Sequence, residues 1–215
     1  MMRKAVALLA GALIAAGLVV AGITAYKVID PQAPAREQAL QQQLATQWKA
    51  PAPKATAPTA GRVPTVTVRA GQPFALLRIP ALGRDWKFAV VEGATLAQLS
   101  TGPGHVTGTQ LPGQVGNFAV AAHDITAGNP FLHLKSLRAG MKIYVTTRYA
   151  TYTYVVTGEH VVRYTDVSVL APVPGSPGAA PTSAHITLIT CTPVTLLFTP
   201  WRVIVTGVLT ATRAR

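Results

Sequence analysis

The sequence predicts a mainly β fold held on a membrane stalk, and three observations carry that prediction. From residue 74 onward the apolar runs are short and are broken by glycine and proline, of which the chain holds 18 and 17. Short runs punctuated by turn residues are the pattern of many short strands in a barrel or a sandwich. Ahead of them, residues 5–25 carry no charged side chain, and residues 31–64 have the Ala, Gln, Thr and Pro composition of a spacer.

Taken in order, residues 5–26 are expected to form one N-terminal transmembrane helix, because about 20 apolar residues span a bilayer core. A cleaved signal peptide has a shorter apolar region and ends at a small-x-small site; the nearest match here, Ala33-Pro34-Ala35, carries a proline. Arg3 and Lys4 precede the run and assign residues 1–4 to the cytoplasm. Residues 27–63 read as an extracellular linker, and residues 64–215 as one domain with a real core. Within the linker, Leu40, Leu44 and Trp48 recur at i, i+4 and i+8, which predicts a short helix lying on the domain or on the bilayer. Eight strands are expected, at 74–79, 86–91, 118–122, 142–147, 152–157, 161–163, 186–190 and 202–209. Single helical turns are expected at 95–99 and 131–137. Residues 102–116 read as a glycine-rich loop; it lacks Gly-Lys-Ser/Thr and leads into a strand, so it is no phosphate cradle. The Pro/Gly-rich stretch 171–182 is a long surface loop placed to wall a groove.

The chain has 19 Lys and Arg against 7 Asp and Glu, a net charge of +12. For an anchored domain that excess favours lipid head groups or cell-wall polymers as anionic neighbours. No zinc spacing, RNA-binding motif or basic helix supports a nucleic-acid partner. Few and scattered acids, with no carboxylate cluster of the kind calcium needs, argue against a metal, and no cofactor is implied.

Cys191 is the sole cysteine of the chain, which excludes an internal disulfide and leaves two readings, a buried inert thiol or a reactive one. A nucleophilic thiolate needs a nearby base or positive charge. Of the five histidines, His185 shares the face of Cys191 but lies about 20 Å away along the same strand. His160 and His133 read as exposed. His123 ends an apolar strand and opens a loop, a position from which catalytic groups often project. Arg202 begins an otherwise apolar strand, where a guanidinium must be paired or face a cleft.

The run Leu188-Ile189-Thr190-Cys191-Thr192-Pro193 with Arg202 downstream resembles the Thr-Leu-x-Thr-Cys...Arg signature of sortases, the membrane-anchored cysteine transpeptidases of Gram-positive cell surfaces. The likeness extends from about residue 74 to 208. In the order seen in class E sortases of actinobacteria come Leu77-Arg78-Ile79-Pro80, Val91-Glu92-Gly93, Gly102-Pro103-Gly104-His105, the run 111–118, His123 with Gly128-x-Pro130-Phe131, and the run 171–175. The resemblance implies an eight-stranded sortase-type β-barrel with short helices. It implies Cys191 as nucleophile, His123 as general acid and base, Arg202 as oxyanion support, and Thr190 and Val106 in the substrate groove. It also implies the reaction: cleavage between Thr and Gly of a C-terminal LAXTG- or LPXTG-type sorting signal on a secreted protein, through a thioacyl enzyme. The acceptor would be an amine of a lipid II-type peptidoglycan precursor, with the catalytic domain outside a single-pass cell-membrane anchor.

The chain also departs from that family. Ala122 and Asp124 flank His123 where Gly and Arg are usual, and Asp124 either tunes His123 or caps the loop. Val106 stands where many class E relatives carry a Tyr thought to favour Ala in the second motif position, so the Ala or Pro preference stays open. The apolar loop 194–200 is longer than the family pattern. Rival readings are a pilin-polymerising sortase, an L,D-transpeptidase, which would lack its Ser-x-Gly-Cys surroundings, and a lapsed scaffold in which the barrel outlived its chemistry.

Overall fold

Side-chain alternation decides the strands. In Lys142–Thr147 the burial alternates residue by residue, with Ile143, Val145 and Thr147 inward, and in Ala150–Arg163 the residues Ala150, Tyr152, Tyr154 and Val156 are buried in turn. A period of two with one apolar face is what a half-buried strand requires. The computed structural model describes residues 30–50, 66–193 and 199–215. The expected membrane segment 5–26, its cytoplasmic flank 1–4 and part of the linker lie outside the described residues. Among the described residues no helix is long and apolar enough to cross a membrane.

The elements run α1 (Ala33–Lys49), β1 (Pro73–Arg78), β2 (Lys87–Glu92), α2 (Leu96–Leu99), β3 (Gly104–His105), β4 (Gly116–Ala121), β5 (Lys142–Thr147), β6 (Ala150–Arg163), β7 (Ala184–Thr192) and β8 (Trp201–Ala214). Short 3-10 turns lie at Pro80–Leu82, Leu134–Ser136 and Val167–Leu170. The strands close into a barrel in the order β1-β2-β3-β4-β7-β8-β6-β5. Pairs β2·β3 and β4·β7 are parallel, and the others are antiparallel. Phe118, Leu77, Ile143, Tyr154, Ile186 and Leu188 fill the interior. The buried Tyr154 hydroxyl accepts the Gly113 N–H at 2.8 Å, which satisfies it inside that apolar core.

Eight strands are present as expected, but two of the expected ones are a single strand and one was missed. The runs 152–157 and 161–163 are both parts of β6; between them the strand continues, with a bulge at Val156–Gly158 where the register against β8 shifts. The missed strand is β3, inside the stretch read as a glycine-rich loop. It is two residues long, and its glycine answers a close approach: a Cβ on Gly104 would lie 2.2 Å from the Gly93 carbonyl oxygen. His105 turns inward, where its Nδ1 lies 2.6 Å from Glu92 Oε2 and its ring meets Phe74 and Phe118. It is thereby a structural pin between β2, β3 and the core.

Helix α1 falls within the expected linker and packs on the barrel. It begins at Ala33 with Pro34 in the first turn and ends where Ala50, ahead of Pro51, is extended. Of its predicted apolar stripe, Leu44 is buried against the domain, and Trp48 lies under the Arg215 guanidinium at 4.4 Å. The helix also covers a sheet edge. Strand β3 reaches only Val91 and Glu92 of β2, and Glu37 Oε1 accepts the backbone N–H of Ala89 at 2.7 Å.

Candidate active site

Strand alternation and two ladder registers assemble the site. On β7 the even residues Ile186, Leu188 and Thr190 face the core side, so Cys191 faces outward. Across the β7·β8 ladder Cys191 stands directly opposite Arg202, and directly opposed residues in an antiparallel pair share a face. On the other side, β4 runs parallel to β7 with Ala121 beside Ile189, and the pairing continues as Ala122 N–H donates to the Ile189 carbonyl at 3.1 Å. His123 follows at once. Phe118, Val120 and Ala122 belong to the core, so His123 falls on the same outward face and beside the Cys191 row. The sequence candidates Cys191, His123 and Arg202 are therefore brought together at one end of three adjacent strands.

Thr190 has a place the motif alone did not suggest. Expected to line the groove, it is buried instead, and its hydroxyl donates to the Ala122 carbonyl at 2.8 Å. That bond ties the residue before Cys191 to the residue before His123. Val106 continues β3 on the outer face, its N–H donating to the Ala119 carbonyl at 2.9 Å. It stands four residues below the His123 row, roughly 13 Å away at about 3.3 Å per residue. His185 is the second residue of β7, at the far end from Cys191, and His133 and His160 are exposed.

Arg202 Nη1 donates to the carbonyls of Thr199 and Trp201, each at 2.8 Å, and the guanidinium lies 6.0 Å from the Tyr164 ring centroid. Among the described residues no carboxylate forms an ion pair with it. The exposed Tyr164 and Trp201 flank this end of the cleft, and residues 194–198 of the apolar loop lie outside the described residues. Asn117 was read from sequence only as part of a motif, and it anchors the long β6–β7 loop. Its Nδ2 donates to the Val169 carbonyl at 2.9 Å while its Oδ1 accepts from Thr187 at 2.8 Å. A polar residue heading an apolar strand was the available signal.

Burial dominates the electrostatics. It pushes the Cys191 thiol up, against the pull of Arg202 and with a further push from Asp124. It pushes the His123 imidazole down, against the pull of Asp124. At neutral pH both groups are therefore uncharged at rest. Asp124 answers both sequence readings. Its Oδ1 accepts the Ile125 N–H at 2.9 Å as a loop cap. Its Oδ2 is buried without a partner among the described residues and its charge reaches His123, Arg202 and Cys191, while burial raises its own pKa.

A barrel of this order with these three groups on one face defines a class, and the comparisons agree on it. The Sortase domain family model matches residues 77–210, and the chain belongs to the sortase family, whose members are cysteine transpeptidases. Within the family it is similar to sortase SrtE1 of Streptomyces coelicolor, at 36% identity over 153 residues that cover 67% of this chain and 42% of that protein. The chain thus spans about two-fifths of the length of the curated relatives it matches. Among solved structures it is similar to sortase E of Streptomyces avermitilis, with 39% identity, a TM-score of 0.61, and coverage of 68% of this chain and 93% of that one. Sortase E1 of Streptomyces coelicolor, solved with a tripeptide in its active site, gives 34% identity, a TM-score of 0.61, and coverage of 69% and 94%. These likenesses support the class E reading.

Proposed function

We propose that this chain is a class E sortase that cuts an LAXTG- or LPXTG-type sorting signal between Thr and Gly and joins the acyl part to an amine of a cell-wall precursor. The observation that carries the proposal is the register: Cys191 faces Arg202 across β7·β8 while β4 delivers His123 to the same face. The tripeptide held in the active site of the Streptomyces coelicolor relative supports a peptide substrate.

In this reading His123 takes the proton of the Cys191 thiol as the sulfur attacks the Thr carbonyl carbon, and Arg202 donates to the developing oxyanion. His123 then returns the proton to the departing glycine amine. A thioester to Cys191 remains, and the incoming amine takes its place by the reverse sequence. Val106 contacts the distal part of the signal. Residues 5–26 hold the domain at the outer face of the cell membrane.

The test is mass spectrometry of the full-length chain incubated with Leu-Pro-x-Thr-Gly and Leu-Ala-x-Thr-Gly peptides. The expected product is an acyl adduct on Cys191 with loss of the glycine fragment, and the faster peptide gives the motif. Cys191→Ala is expected to abolish the adduct, and His123→Ala and Arg202→Lys to slow it at least a hundredfold, an order set by the loss of an acid-base or oxyanion group. A folded wild-type chain that forms no adduct with either peptide would return the scaffold reading.

A further inference from the structure

An open pocket of about 330 Å³ adjoins His123, and it is built partly from the N-terminal segment. Its lining is Asp30, Arg36, Ser100, His123, Thr126 and Ala127. Neither Cys191 nor Arg202 belongs to it. Around the barrel the order is β8 with Arg202, β7 with Cys191, then β4 leading to His123, and the pocket opens beyond His123, on the side of the 126–127 loop and α1. Helix α1 seats closely there: a Cβ on Gly128 would meet the Ala33 Cβ at 3.0 Å, and Ala33 and Ala127 are both buried.

The charges in the pocket are specific. Arg36 forms an ion pair with Asp30 through Nη2. Its Nε–H is buried and has no partner among the described residues. A buried donor left unpaired is costly, so an arginine held by one carboxylate, with a second donor unpaired among the described residues, is suited to an incoming anionic group, above all a carboxylate.

We infer that this pocket is the acceptor subsite, which receives an amine-bearing peptide and holds its carboxylate on Arg36 while the amine faces His123. The inference rests on the transpeptidase reading above. A thioester carbonyl lies between Cys191 and Arg202, so a nucleophile seated in the pocket approaches it past His123, the group that must take its proton. In the step itself the amine nitrogen bonds to the thioester carbon and one amine proton passes to His123. The carbon–sulfur bond then breaks, and the Cys191 sulfur leaves with its electron pair and recovers a proton from His123. Asp30 orients the guanidinium and does not touch the substrate.

The experiment compares two acceptors, Gly-Gly and Gly-Gly-amide, with an amide-capped sorting peptide as donor and the full-length chain as enzyme. Acylation of Cys191 and transfer to the amine are measured separately. Wild type is expected to favour Gly-Gly over its amide by roughly ten- to a hundredfold in kcat/KM, the yield of one charge-assisted contact. Arg36→Ala is expected to remove that preference through the acceptor KM, so that transfer falls tenfold or more relative to acylation, and Arg36→Lys to restore part of it. Equal use of the two acceptors by wild type would overturn the subsite without any variant, as would an Arg36→Ala enzyme that keeps the preference or loses acylation and transfer alike. A wild type that never acylates overturns the transpeptidase reading itself, and the subsite falls with it.

Discussion

At the scale of single residues, the resting site is a neutral thiol beside a neutral imidazole, because burial outweighs the charges near each. The reactive ion pair is then a small and pH-independent fraction between the two pKa values. The rate of acylation is expected to be flat with pH across neutrality, with its acid limb below 6.5, the ordinary histidine value, and its alkaline limb above 9.0, the ordinary thiol value. Asp124 raises both groups by its negative charge, so Asp124→Asn is expected to move both limbs to lower pH. A pH–rate series on the two proteins checks this, and limbs that stay put would reduce Asp124 to a loop cap. Thr190 acts through position. Thr190→Val leaves the Ala122 carbonyl buried without its donor, a loss of about 1–3 kcal/mol, and loosens His123 against Cys191. Chemical denaturation should show that loss, and the acylation rate should fall with binding of the donor peptide little changed.

Among the elements, α1 and β3 carry the consequences that local sequence concealed. Glu37 on α1 accepts the Ala89 N–H, yet its Oε2 is buried and has no partner among the described residues, and burial raises its pKa to about 7. A folded pKa above the unfolded 4.5 means that the native state binds the extra proton, so the helix docks best at low pH and loses stability as pH climbs from 4.5 through 7. Glu37→Gln keeps the acceptor for Ala89 and removes the charge. Its Tm is expected to match wild type near pH 4.5 and to exceed it progressively up to pH 8; a constant difference would assign the pH dependence elsewhere. In β3, any side chain on Gly104 runs into the Gly93 carbonyl, a backbone atom that cannot step aside. Gly104→Ala is expected to destabilise by at least about 2 kcal/mol and to displace Val106, which urea unfolding and motif preference would register together.

For the whole molecule, the barrel and α1 form one folded body, although the composition placed residues 33–49 in a spacer. A chain beginning at residue 62 would lose the burial of Leu44 and the Glu37 cover on β2. These contacts sum to a few kcal/mol, so a Tm lower by about 10 °C is expected on removing residues 1–61, and equal melting of the two forms would detach the helix from the domain. The sequence by itself determined a great deal. Short apolar runs between turn residues located most of the strands, and the parity of Cys191 on β7 followed from alternation, because side-chain direction in a strand is a local property of period two. It also gave the lone thiol, the histidine at a strand end and the arginine at a strand start, the residues on which the family likeness rests. What only the tertiary structure decided is non-local. Gly158 is a bulge because β8 holds both halves of β6 in one ladder, and Thr190 is a tether because β4 lies beside it. His123 meets Cys191 through the parallel β4·β7 pairing of segments nearly 70 residues apart, whose hydrogen bonds depend on the closed barrel and leave no mark on either strand's own pattern.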